Sequence, residues 1–142
     1  MSHSDANHLN AGVGRIDITP PPDCTLAGFP ARDHRAEGIH DPLYATALAL
    51  EKNGKRTVIV SLDLIAISRK HIDYLWKSLG AAHGLKPEQM LLNCSHTHAG
   101  PVTDVSEFDM SMNDRCPYQG DPEYLLRLRD GVFQAVDAVD QR

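Results

Sequence analysis

Lys55-Arg56-Thr57-Val58-Ile59-Val60-Ser61-Leu62-Asp63 decides the fold of this chain. Its centre, Thr57 to Leu62, is rich in β-branched residues and apolar on both faces, the pattern of a central strand in a sheet. Asn53-Gly54 stands just before it and suits the type I′ turn of a two-residue hairpin, so Leu43 to Lys52 is the other arm. Further upstream, Ala11 to Thr19 reads as a first strand, stopped by Pro20-Pro21-Pro22. Downstream, Ser68 can cap a helix running to about Ala82. Ile72, Leu75, Trp76 and Leu79 recur there at helical spacing, and Gly84 is a stop. Met90 to His98 reads as the next strand, ended by Gly100-Pro101. The last element opens on Asp121-Pro122-Glu123: an N-cap, a proline at the first helical position and an acid in the first turn. Leu125, Leu128, Val132, Ala135, Val136 and Val139 mark its apolar face, a pattern still running at Arg142.

The order is therefore strand, hairpin, helix, strand, helix. This is an α/β chain with a mixed sheet, a β-hairpin and flanking helices, and it reads as the incomplete front part of something larger. The helix between the strands ending at Asp63 and Ser95 is a crossover, which allows those strands to be parallel neighbours. Residues 1–10 read as a polar, mobile tail. Residues 23–38 and 102–120 carry no period, and the first of these stretches is a loop of the kind that often holds binding residues.

Composition narrows the function. With 142 residues, 42% hydrophobic, 23% charged and a net charge of −5, this is one globular domain's worth of chain. No basic face exists for a phosphate backbone, so no nucleic-acid partner is expected. No apolar run reaches membrane-spanning length. The N-terminus lacks the basic start and apolar core of an export signal, which favours the cytoplasm by default. Three cysteines at irregular spacing, Cys24, Cys94 and Cys116, imply no disulfide framework.

The chemistry concentrates in Asn93-Cys94-Ser95-His96-Thr97-His98-Ala99-Gly100-Pro101. On an extended backbone, residues i and i+2 point to the same side, so His96 and His98 would present two imidazoles to one space while Thr97 points away. Neutral imidazole is a good zinc ligand, and α/β proteins build sites at the carboxyl ends of strands. Two surface histidines would give the same pattern. Cys94 falls on the same side, as a small buried hydrophobe or as a thiolate ligand. Asp63 would lie at the same sheet edge. It could orient a metal-bound imidazole by accepting its other ring N–H, or serve as a turn residue. His34, in Arg32-Asp33-His34-Arg35, reads as solvated surface.

Other zinc-hydrolase patterns fit less well. Metallo-β-lactamase-like enzymes need H-x-H-x-D-H, and here Gly100-Pro101 follows. TIM-barrel amidohydrolases carry H-x-H on their first strand, and here three candidate strands precede it.

Four blocks in order resemble the N-terminal region of neutral/alkaline non-lysosomal ceramidases: Gly12-Val13-Gly14-Arg15-Ile16-Asp17-Ile18-Thr19-Pro20, Gly38-Ile39-His40-Asp41-Pro42-Leu43-Tyr44, Val60-Ser61-Leu62-Asp63 and Ser95-His96-Thr97-His98-Ala99-Gly100-Pro101. The last is the most specific, and together they span nearly the whole chain. Residues 11–142 would then be the N-terminal portion of a larger catalytic domain. The resemblance implies a zinc-dependent amidase that cleaves the N-acyl bond of ceramide-like lipids. It maps His96 to a zinc ligand and His98 to an active-site group near the substrate. It places the remaining ligands, a histidine, a glutamate and a tyrosine, later in the family's catalytic domain, so that this chain would need the remainder of that domain as its partner. The resembled family is often secreted. His40 either faces the same edge and binds substrate or fixes the loop before its strand by a backbone hydrogen bond. The chain departs from the family at Thr46, where arginine is frequent, and at Val102-Thr103, where glycines follow the Gly-Pro pair. The alternative is a non-catalytic ceramidase-like domain that binds a lipid or protein partner.

Overall fold

The structure, a computed structural model, describes residues 8–103 and 121–139. The expectations for residues 1–7, for Cys116 and for most of the 102–120 stretch lie outside them.

The hairpin forms where its turn residues place it. Strand β2, Tyr44–Lys52, and strand β3, Lys55–Leu62, pair antiparallel from Ala45↔Leu62 to Lys52↔Lys55. Asn53 and Gly54 between them both have positive φ, 54° and 71°, as a type I′ turn requires. Strand β1, Asn10–Asp17, pairs antiparallel with β2, and it starts one residue earlier and ends two residues earlier than the sequence pattern suggests. Helix α1, Arg69–His83, ends at Gly84, whose φ of 65° closes the C-cap. The chain then returns through Pro87–Gln89 to strand β4, Met90–Cys94, parallel to β3. The sheet order is β1-β2-β3-β4, so β3 is interior and the hairpin and the crossover share it. Helix α2, Pro122–Val139, starts as its cap residues dictate: Asp121 Oδ1 accepts from Glu123 N at 2.9 Å.

One face of the sheet carries the core. Ala45, Ala47 and Ala49 of β2 and Val58, Val60 and Leu62 of β3 are buried together with Leu75 and Leu79 of α1 and Leu128, Val132, Ala135 and Val136 of α2. Helix α2 lies close against β1 and β2 because the contact is made of small residues: a Cβ on Gly14 would run into the carbonyl oxygen of Ala135. The other face is more open. Val13, Leu48, Ile59 and Leu91 form one cross-strand row there, with Val13 and Leu91 exposed and Leu48 and Ile59 half-buried. Ile59 thus makes β3 apolar on both faces, as a central strand should be.

Two local expectations change. Ser68 does occupy the N-cap of α1 but makes no side-chain cap. Its hydroxyl is instead within 2.7 Å of His71 Nδ1, which competes for the same oxygen. The strand read as Met90 to His98 ends at Cys94.

Candidate active site

The parallel pairing of β3 and β4 carries both strands to the same edge, and there the chain segment after β3 acts as a backbone template. Leu62 O accepts from Ser95 N at 2.9 Å and Leu64 O accepts from His96 N at 3.0 Å. Ile65 O meets His96 Nδ1 at 2.9 Å, and Ala66 O accepts from the buried Thr103 hydroxyl at 2.8 Å. Four successive contacts therefore fix residues 95–103 against residues 62–66. His96 departs from the extended strand, with φ at 62°. Such a left-handed turn costs a non-glycine residue about 1–2 kcal/mol, and two hydrogen bonds of about 1 kcal/mol each offset it. The i, i+2 argument for bringing the two rings together thus rests on the wrong backbone. The rings meet even so, with centroids 5.1 Å apart and planes at 74°.

The Ile65 contact fixes the tautomer of His96. A carbonyl oxygen can only accept, so Nδ1 carries the proton and donates it. In the neutral ring the lone pair is then on Nε2. A metal-ligating histidine is prepared in this way, one nitrogen anchored and the other free to bind.

His98 is held from the opposite side, by the 23–38 loop. Ala27 N donates to Gly100 O and Val102 N to Thr25 O, both at 2.9 Å, and Leu26 pairs with Pro101 as an antiparallel bridge. This short ribbon brings Gly28 against the His98 ring and sets Phe29 edge-on to it, centroids 5.3 Å apart at 69°. Arg32 reaches His98 O and Ala27 O, each at 3.4 Å, and its guanidinium lies 5.1 Å from the Phe29 ring centre. Among the described residues, neither ring nitrogen of His98 has a hydrogen-bond partner. The ring is packed and half-buried.

The sequence matches the neutral/alkaline non-lysosomal ceramidase, N-terminal, family over residues 9–141. The chain belongs to this family. Its fold is that of the N-terminal part of a ceramidase. Compared with the crystal structure of neutral ceramidase from Pseudomonas aeruginosa it gives a TM-score of 0.77 at 24% identity, over 97% of this chain and 22% of that one. Compared with a ceramidase complexed with C2 it gives 0.77 at 24% identity, over 96% and 22%. The chain thus spans 22% of the length of the ceramidase structures that it matches.

The other residues singled out in this ceramidase-family sequence fall in different places. Asp63 lies at the histidine edge, but its Oδ2 accepts from Tyr44 N at 3.0 Å while its own N–H donates to Tyr44 O. That is the turn role open to it in the sequence, and the carbonyl of Ile65 takes the orienting contact to His96. His40 is 96% exposed and its Nδ1 lies 2.6 Å from the neighbouring Asp41 carboxylate. Cys94 is half-buried on the core face, where desolvation pushes its thiol up from the usual range and favours the neutral form over a thiolate. His34 is exposed beside Arg35 O and Glu37. Among the described residues, no three His, Cys, Asp or Glu side chains converge as a metal cage. No helix of the described residues is long and apolar enough to cross a membrane.

Gly28, Phe29 and Arg32 escaped the residue-by-residue reading. The aperiodic, Pro- and Gly-containing 23–38 stretch marked the loop but not the residues within it.

Proposed function

We propose that this chain forms the front wall of a zinc-dependent amidase that cleaves the N-acyl bond of ceramide-like lipids. The observation that carries this is the His96 ring: Nδ1 is spent on Ile65 O, Nε2 is left for a metal, and His98 stands 5.1 Å away. One imidazole so prepared fits a zinc site as one ligand of several, and the family resemblance supplies the others from elsewhere in the catalytic domain. Zinc at an open site lowers the pKa of bound water to about 7 and polarises the scissile carbonyl. His98, whose ring nitrogens have no hydrogen-bond partner among the described residues, donates to the developing oxyanion or passes a proton to the leaving amine. Asp63 supports the site indirectly, by fixing the start of β2 beside the loop that presents Ile65 O.

The test uses the full-length protein, a fluorescent N-acyl sphingosine and metal analysis after dialysis. The wild type should hold about one zinc and release the fatty acid. His96→Ala should lose the metal, and activity should fall by more than about 100-fold, since even partners of zinc ligands cost 10- to 100-fold. A metal-free, inactive wild type would overturn the reading in favour of a non-catalytic ceramidase-like domain that binds a lipid or protein partner. A variant with full zinc and full turnover would remove His96 from the ligand set.

A further inference from the structure

Gly28 packs against the His98 ring and has no side chain of its own. A Cβ built there would lie 2.7 Å from His98 Cγ and 2.8 Å from both Cβ and Nδ1. All three distances are inside the roughly 3.5–4.0 Å of ordinary carbon contact. Gly28 also has φ at 101°, a conformation that side chains other than hydrogen resist. The turn alone would explain the glycine. It would not explain why the face left bare is the one against which an imidazole lies.

We propose that Gly28, Phe29 and Arg32 form a seat for the His98 ring and act as positioning residues for the hydrolytic site. The open Cα of Gly28 gives the ring its place. The edge of Phe29 limits its rotation. Arg32 ties the loop to the backbone of His98 and stacks over Phe29, so the three act as one unit. The ring needs such a seat because, among the described residues, no hydrogen bond to its nitrogens orients it, whereas His96 has Ile65 O. The site therefore uses two methods for two histidines: a carbonyl anchors the ring that leaves Nε2 for a metal, and packing against Gly28 and Phe29 holds the ring of the other. The inference rests on the reading of His98 as a group that faces the reacting amide.

Two readouts test it on the full-length protein. The first is the histidine ring signal in a ¹³C-labelled NMR spectrum, assigned by its loss in His98→Gln. Gly28→Ala should displace the His98 signal. Phe29→Leu, at a residue exposed on its other side, should shift it through the lost ring current while leaving the fold intact. The second is turnover: Gly28→Ala should lower kcat by roughly 10- to 100-fold, the scale of a 1 Å misplacement of a reacting group, with KM little changed. In a His98→Ala background the same substitution should have no further effect on kcat. If Gly28→Ala and Phe29→Leu leave both the His98 signal and kcat at wild-type values, the seat is refuted. If the signals move but His98→Ala is as active as wild type, the seat stands as geometry and the assignment of His98 to the reaction falls.

Discussion

Gly131→Ala sets two known effects against each other. On a solvent-exposed helix this substitution stabilises by about 0.8–1.0 kcal/mol, the difference in helix propensity. Gly131 of α2 is instead buried against the end of β1, and an added Cβ would lie 2.6 Å from Ile18 Cγ2, with Ile16 Cγ2 at 3.8 Å. Ordinary contact needs roughly another 1 Å. Ile18 cannot yield it by rotation. Its Cγ2 is attached directly to a branched Cβ, the side chain is fully buried, and its N–H is bound to Leu43 O at 2.8 Å. The helix must therefore lift, and Leu128, Val132 and Ala135 lose contact with the sheet as it does. Overpacking of this kind costs about 1–3 kcal/mol, and a gap of 0.5–1 Å forfeits a quarter to a half of each dispersion contact on top of it. Subtracting the propensity gain from the overpacking cost leaves roughly 0–2 kcal/mol, and the lost dispersion contacts bring the net loss to about 1–2 kcal/mol. Urea denaturation followed by circular dichroism measures it. Ile18→Ala supplies the control: with Cγ2 gone, the new methyl enters empty space, Gly131→Ala should turn stabilising, and the coupling between the two should be about 2 kcal/mol. A Gly131→Ala protein at least as stable as wild type would refute the claim that this glycine is there to let α2 approach.

Two more outcomes follow from single residues. Among the described residues the buried Tyr124 hydroxyl has no hydrogen-bond partner, and burial raises its pKa well above the usual phenol range, so Tyr124→Phe should be neutral or stabilise by up to about 1–2 kcal/mol; a clear loss in thermal denaturation would show that the hydroxyl has a partner. Asp17 accepts from the Thr19 hydroxyl and from Thr19 N at 2.7 Å, which hold its carboxyl below its ordinary value of 3.8, so the stability it contributes is complete above that pH and fades as pH falls through the lowered value. The stability gap between wild type and Asp17→Ala should accordingly be flat above about pH 4 and shrink toward pH 2, and a gap that widened on acidification would contradict the assignment.

The features legible in the sequence are those in which a side chain dictates its own backbone. Asn53-Gly54 gave the hairpin because few other pairs accept two positive φ angles. Gly84 stopped α1 and Asp121 started α2 for equally local reasons. The apolar, β-branched run of β3 placed it inside the sheet, and the length of the crossover made β3 and β4 parallel. The site was legible as a pair of histidines but not as a geometry. His96 turns left-handed because carbonyls 64 and 65 capture its N–H and its ring, and a carbonyl is carried by every residue, so nothing in Leu64 or Ile65 as letters announces the contact. The Gly28 seat is hidden for the opposite reason: its information is an absent side chain, which in a loop reads as a turn. Asp63 reads two ways in the sequence because an aspartate at this sheet edge can accept from a ring or from a backbone N–H, and here its Oδ2 accepts from Tyr44 N.

Stability and site geometry are consequently lodged in different parts of the molecule. Helix α2 packs on β1 and β2, through Gly14, Gly131 and the alanines of β2. The histidine segment is anchored by the 62–66 backbone after β3 and by the ribbon with residues 25–27. Among the described residues the two regions are held by different contacts, and substitutions without shared partners act independently. Gly131→Ala should therefore lower the unfolding midpoint while leaving the His98 ring signal in place, and Phe29→Leu should move that signal while leaving the midpoint within about 0.5 kcal/mol of wild type. If instead the α2 substitution shifts the His98 signal as far as Phe29→Leu does, the histidine pair is held by the whole core and not by its two loops.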